Sequence, residues 1–291
     1  MTMTTAPAAS PPVAVRVPQS TLRGDLRAVK VVWQRELIRF SQDKLRIVTS
    51  LVQPLLYVFV LGTGLSALTR DATGGVSLPT FIYPGVLALS VLFTAMFSAA
   101  SIVWDREFGF LREMLVAPVR RSAIITGKCL GGATVATIQG LIVVAIAGLV
   151  DVPYSPVMIA VLFGEMMLLG FSLTALGLVI AARVRQIQSM MGLMQMILMP
   201  LMFLSGALYP LRDLPGWLNV MVKINPLTYA VHPIRQAVFD HVHAAPGALA
   251  RLNPPLTWGS WELPVPVQLG VVALTGLVFL LVAVAEFNRA D

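Results

Sequence analysis

Six apolar stretches constrain this chain more than anything else in it. They cover roughly residues 47–68, 81–103, 123–150, 157–182, 189–208 and 265–285. An apolar run of about 18 residues or more crosses a bilayer as a helix, because a helix pairs its own backbone groups inside lipid. Composition agrees, since 57% of the 291 residues are hydrophobic and only 12% are charged, too few to cover a water-soluble surface. The expected fold is an all-α polytopic membrane protein, with one transmembrane domain over residues 22–291. The single cysteine, Cys129, lies inside an apolar run, so no disulfide framework is expected. Residues 1–21 are rich in Ala, Pro, Ser and Thr and read as a disordered tail. No secretory signal is expected, because the first apolar run begins only near Ile47.

From Leu22 to Lys44 the apolar residues return at every third or fourth position. Leu22, Leu26, Val29, Trp33, Leu37 and Phe40 form one stripe, with Arg23, Arg27, Lys30 and Gln34 on an adjoining polar face. A basic amphipathic helix of this kind, with Trp on its apolar side, suits the headgroup layer. Glu36 interrupts the stripe at its edge, and Arg35 and Arg39 are its available partners. Gln53–Pro54 predicts a kink in the first span. Lys128, a turn or so inside the third run, is expected to snorkel back to the headgroups.

The placement of Lys and Arg sets the topology. With the N-terminus inside, sixteen basic residues fall on inner segments and five on outer ones. Every short basic loop lies on the inner side, which predicts both termini in the cytoplasm. The charged segment 104–121, WDREFGFLREMLVAPVRR, is then a cytoplasmic loop. Within it Phe108, Phe110, Leu111, Met114 and Leu115 stand as apolar anchors among Arg106, Glu107, Arg112 and Glu113. Such a patch fits a groove on a partner, and Pro118 closes it before the third span.

Residues 209–264 form the long outer segment. Asn225–Pro226 reads as a helix start, with Asn as cap and Pro at the first helical position. Leu227, Val231, Ile234, Val238 and Val242 then keep helical spacing, while Arg235, Gln236 and Asp240 lie off that stripe and Pro233 predicts a kink. Leu214–Ile224 upstream reads as a shorter helix carrying Trp217. The pair is expected to form a re-entrant or interfacial helical hairpin.

No constellation supports chemistry in this chain. Gly127–Lys128 has the look of the end of a phosphate loop, but the upstream glycine is missing and Cys129 replaces the required Ser or Thr. Gly127 and Gly131 instead make a small-xxx-small pair that permits close helix approach. Glu165 is the one acid deep in a span; it reads either as a polar contact on a substrate pathway or as a hydrogen-bonded packing residue. Six methionines, among them Met194, crowd the fifth run beside Gln195 and Pro200, as gap-filling core or as an adaptable lining. His232, His241 and His243 lack a ligand set, so no metal is expected, and the basic residues report topology rather than nucleic-acid binding.

In order along the chain, Arg106–Glu107–Phe108–Gly109, Leu111–Arg112–Glu113, Ala117–Pro118–Val119 and Gly127–Lys128 are followed by Asn225–Pro226–Leu227–Thr228–Tyr229 and Arg235. With these motifs the chain resembles the membrane subunits of type-2 ABC exporters, the group including daunorubicin and nodulation lipo-oligosaccharide export permeases. The resemblance runs from about residue 22 to the end. It implies a half-transporter in a bacterial inner membrane, binding no ATP itself. A separate ATP-binding-cassette subunit would hold ATP and Mg, and a second permease subunit, identical or not, would complete the assembly among membrane lipids. It also implies a connecting helix over 22–44, carrying Leu26, Trp33, Leu37 and Arg39, and an ATPase-coupling segment over Arg106–Leu115. The cargo implied is an amphipathic drug, lipid or lipid-linked glycan. A lipid-modifying membrane enzyme and an ion-coupled transporter are the rival readings; each needs more intramembrane polar groups than Glu165 supplies.

Overall fold

The computed structural model describes residues 21–66, 76–109, 119–212, 214–242 and 247–289. Helix α1 (Leu22–Gln42) opens on a Thr21 cap and closes at Asp43, whose carboxylate starts α2 (Lys44–Leu55) by accepting from the Arg46 amide. Pro54 can offer no N–H to the ladder, and the chain answers with a π-helical turn, Leu56–Leu61, before the short α3 (Gly62–Gly64). The expected kink is thus a local widening of the helix.

Next come α4 (Leu78–Ala99) and α5 (Ser101–Glu107), continuous enough to make one apolar stretch of 30 residues. Then follow α6 (Arg121–Val144), a 3₁₀ turn (Ala147–Val150), α7 (Pro156–Arg183) and α8 (Ile187–Phe203). The segment before the last helix holds α9 (Gly216–Ile224), α10 (Thr228–Phe239) and α11 (Ala248–Leu252). A two-stranded hairpin of β1 (Thr257–Trp258) and β2 (Trp261–Glu262) leads to α12 (Val265–Arg289). The described residues are helical as expected apart from this small hairpin, which turns at Gly259 with φ +64.

Among the described residues, five stretches are long and apolar enough to cross a membrane: Lys44–Gly64, Leu78–Glu107, Arg121–Val144, Pro156–Arg183 and Val265–Arg289. The fifth expected run is a shorter helix of 17 residues, α8. It stops at Phe203 rather than near 208 because the chain turns sharply through Gly206, at φ +71. Similarly, α6 ends at Val144 and not at 150, giving way to the 3₁₀ turn and left-handed Asp151.

Helix α4 is the axis of the bundle, packed by α6, α7 and α10, and every residue from Phe81 to Leu92 is buried. The outermost helices are α2 with its continuation, and α12, which keep most of their surface exposed. Packing of α8 is narrower. Its four buried residues, Met190, Met194, Leu198 and Met202, lie in a single i, i+4 row. Met196 and Met199 point outward.

Helix α1 is seated against α6 through the glycine pair. A Cβ on Gly127 would lie 2.8 Å from Val32 Cβ, and one on Gly131 2.8 Å from Glu36 Cβ. The Trp33 indole donates to Thr134 Oγ1 at 3.0 Å. The packed face therefore includes Val32 and Glu36, whereas Leu22 and Leu26 of the expected stripe stay exposed. The reason is steric: the notch on α6 selects the face that fits it, and hydrophobicity alone does not.

Candidate functional site

The segment leading into the charged loop is anchored by Arg106 and Glu107. The Arg106 guanidinium donates to the carbonyls of Ala181, Ala182 and Val184 at 3.2, 3.3 and 2.6 Å. These are among the last carbonyls of α7, which no helical N–H can reach. The same guanidinium stacks over Phe287 of α12, 5.3 Å from the ring centroid. Glu107 Oε2 accepts from the Ile187 amide at 3.0 Å and so caps the start of α8. Arg106 and Glu107 together hold the α7–α8 turn. Phe108 is exposed, and Gly109 adopts φ +83, where glycine alone is unstrained. Phe110, Leu111, Arg112, Glu113, Met114 and Leu115 lie outside the described residues.

The Arg106 fork meets three acceptors in different directions, which an ammonium group cannot reproduce. Arg106→Leu is expected to lower stability in detergent by about 2–3 kcal/mol. Arg106→Lys should recover only part of this in a thermal-unfolding assay, and full recovery would show that charge alone matters.

Beside this anchor lies an ion cluster that was not legible as such in the sequence. The Lys128 ammonium, 3% exposed, uses all three of its donors. They reach Glu36 Oε1 at 2.8 Å, Ser101 Oγ at 2.9 Å and Asp105 Oδ2 at 2.7 Å. Arg35 also donates to Asp105, and Arg39 lies 3.8 Å from its other oxygen while stacking on Trp104. The snorkelling expected of Lys128 is corrected: its ammonium is held between two buried acids. Glu36 pairs chiefly with Lys128, and Arg35 is only a distant 3.9 Å neighbour. The cluster binds α1, α5 and α6 into one unit. Of the residues read onto the connecting helix, Trp33 and Arg39 make these tertiary contacts, Leu37 is half-buried, and Leu26 is exposed. The available signals were Lys128 inside an apolar run and Glu36 inside an apolar stripe.

At the opposite end the outer motif does a related task. Asn225 donates its amide to the Leu201 carbonyl at 2.8 Å and caps the following turn by accepting from the Leu227 amide. Pro226 occupies that turn, and α10 proper starts at Thr228. Thr228 Oγ1 reaches the carbonyls of Leu204 and Val222, and the Tyr229 hydroxyl donates to Lys223. Arg235, expected off the apolar stripe, is in fact only 1% exposed. Its guanidinium donates to the Gly206 and Ala207 carbonyls at 2.7 and 3.0 Å and stacks 4.7 Å over Phe81. These side chains satisfy the end of α8 and of α9. Nearby His232 is pushed down to about 4 by burial, and further by Arg235, so its imidazole is neutral.

Glu165, Gln195 and Met194 do not come together. Glu165 and Met194 are buried, but Gln195 points away from the packed row of α8. Measured from the α7–α8 turn, Glu165 lies about 27 Å up its helix and Met194 about 10 Å up its own. One oxygen of Glu165 has no partner among the described residues.

The long apolar helices define a multi-pass helical membrane protein. Residues 27–239 match the ABC-2 type transporter family, and the chain belongs to it. It is 28% identical to nodulation protein J of Rhizobium leguminosarum bv. trifolii, over 72% of this chain and 80% of that one. It is 27% identical to ycf38 of Cyanophora paradoxa, which bears the description of a transport permease, over 70% of this chain and 72% of that one. With the Escherichia coli K12 protein described as a probable multidrug ABC transporter permease, YbhR, identity is 31% over 51% of this chain and 41% of the other. Both anchoring motifs fall within the matched span, and the membrane subunit of a transporter, rather than an enzyme, is the class they define.

Proposed function

We propose that this chain is the permease subunit of an ATP-driven exporter in a bacterial inner membrane. In this reading α8 is a sixth crossing, both termini are cytoplasmic, and a second permease subunit pairs with this one. The cargo is an amphipathic drug, lipid or lipid-linked glycan. A separate cytoplasmic subunit binds ATP and Mg and docks on the segment Arg106–Leu115. Helix α9 lies at the outer interface, with Trp217, Val220, Met221 and Ile224 toward lipid.

One observation carries the reading. The segment that enters the charged loop is fixed to the α7–α8 turn by Arg106 and Glu107 and stands beside the ion cluster that holds α1. A push delivered there by a partner reaches α1, α7 and α8 together, without crossing a soft loop. Apolar anchors at Phe108 and Leu111 suit such a partner.

The test is ATP-dependent export from inverted vesicles containing the chain and its cassette subunit. The double substitution Phe108→Ala, Leu111→Ala is expected to cut export at least tenfold while leaving membrane insertion and folding intact. Undiminished export from well-inserted protein would refute the docking role.

A further inference from the structure

A cleft of about 280 Å³ opens between α2, with its π-helical continuation, and α4. Part of its wall is aromatic, from Phe40, Phe93 and Phe97. Two polar side chains stand out. Arg46, in the first turn of α2, lines the cleft with a half-buried guanidinium. That guanidinium has no hydrogen bond or ion pair among the described residues. Asp43 and Glu36 act on it only through space, Asp43 accepting from the Arg46 backbone amide and Glu36 from Lys128.

Gln139 of α6 also lines the cleft, several turns further along the bundle. It is 0% exposed, and neither its amide nitrogen nor its oxygen has a partner among the described residues. A buried amide left unpaired is unfavourable, and native proteins rarely retain one without a role for it. A cation at one end, an aromatic and aliphatic body, and a free amide further in make an ordered set of recognition groups. Ligand pockets have this character: mostly apolar, with a few convergent polar groups.

We infer that this cleft binds an amphiphile with an acidic headgroup. Arg46 takes the headgroup, the chain lies along Phe93 and Phe97, and Gln139 bonds a hydroxyl or carbonyl borne within the chain. The inference deepens the export reading and rests on it for the view that cargo occupies the site. An anionic bilayer lipid has the same chemistry and is the other source of occupant.

The test uses the full chain in nanodiscs of neutral phosphatidylcholine, titrated with stearate, 12-hydroxystearate and octadecanol. Arg46→Gln is expected to weaken both acids about tenfold or more and leave octadecanol unchanged, as expected for loss of a charge-assisted hydrogen bond. Arg46→Lys should retain part of the affinity. Gln139→Leu should remove the preference for 12-hydroxystearate over stearate while leaving stearate itself unaffected. Equal acid binding by wild type and Arg46→Gln overturns the inference, as does displacement of stearate by acetate alone. Phosphatidylglycerol added to the discs separates the sources: competition supports the site with a bilayer lipid as its occupant, and lack of competition supports it with cargo. Intact ATP-driven export without charge-dependent binding defeats the cleft but not the export reading. Charge-dependent binding without export does the reverse.

Discussion

Lys128→Met is expected to destabilise the bundle by about 3–5 kcal/mol, because it leaves Glu36 and Asp105 buried with their principal counter-ion gone. The ammonium touches Glu36, Ser101 and Asp105 at once, so α1 loses the tie through Glu36 and keeps only those of Trp33 to Thr134 and of Arg35 and Arg39 to Asp105 among the contacts described above. Arg35 can compensate Asp105 but cannot reach Glu36 closely. Neutralising the stranded acids should therefore restore much of the loss. The triple variant Lys128→Met, Glu36→Gln, Asp105→Asn is expected to unfold closer to wild type than Lys128→Met alone. Denaturant titration in detergent measures both. A triple variant as unstable as the single one would mean that the cluster matters for shape and not for charge.

Gly85→Ala should be comparably damaging, at about 3 kcal/mol or more, through overpacking against backbone. A Cβ at Gly85 would lie 1.8 Å from the Ala207 carbonyl oxygen, an atom with no freedom to swing aside. That oxygen is also an acceptor for Arg235, so moving it breaks the grip of α10 on the end of α8. Gly164→Ala in α7 is the control. Nothing lies within 4 Å of the added carbon there, and alanine favours helix by up to about 1 kcal/mol. A thermal-unfolding assay in detergent should show Gly85→Ala well below wild type and Gly164→Ala at or above it. Near-equal stabilities would mean that the turn at 205–208 yields more easily than its packing indicates.

The spans were readable in the sequence because a bilayer imposes both length and apolarity on them, and no packing detail can override that. Helix ends were less readable. The termination of α8 depends on Gly206 and on the side chains of Asn225 and Arg235, which are remote in sequence from its last turn. The glycine pair of α6 announced a close approach, yet not that its partner would be α1. Arg235 illustrates the deeper limit. Periodicity assigns residues to faces by polarity and therefore sets Arg235 off the apolar stripe. The buried carbonyls at Gly206 and Ala207, which draw it inside, are created by a turn that periodicity cannot see. The ion cluster was hidden for a similar reason: its members come from α1, α5 and α6, and only the folded bundle brings them together. Asn225, Pro226, Thr228 and Tyr229 were recognisable as a motif, but their task as caps for the ends of two other helices was not.

The single buried row of α8 carries a mechanical consequence. Met190, Met194, Leu198 and Met202 are the buried row, flanked by the half-buried Ile187, Met191, Ile197 and Leu201, and three of the four are unbranched thioethers that can change rotamer at little cost. Both tips of the helix are clamped by groups belonging to other elements: Glu107 at one end, Asn225 and Thr228 at the other. A rod gripped at its tips and seated on its neighbours along one narrow, methionine-rich strip behaves as an axle in two bearings. It resists sliding far more than it resists rolling.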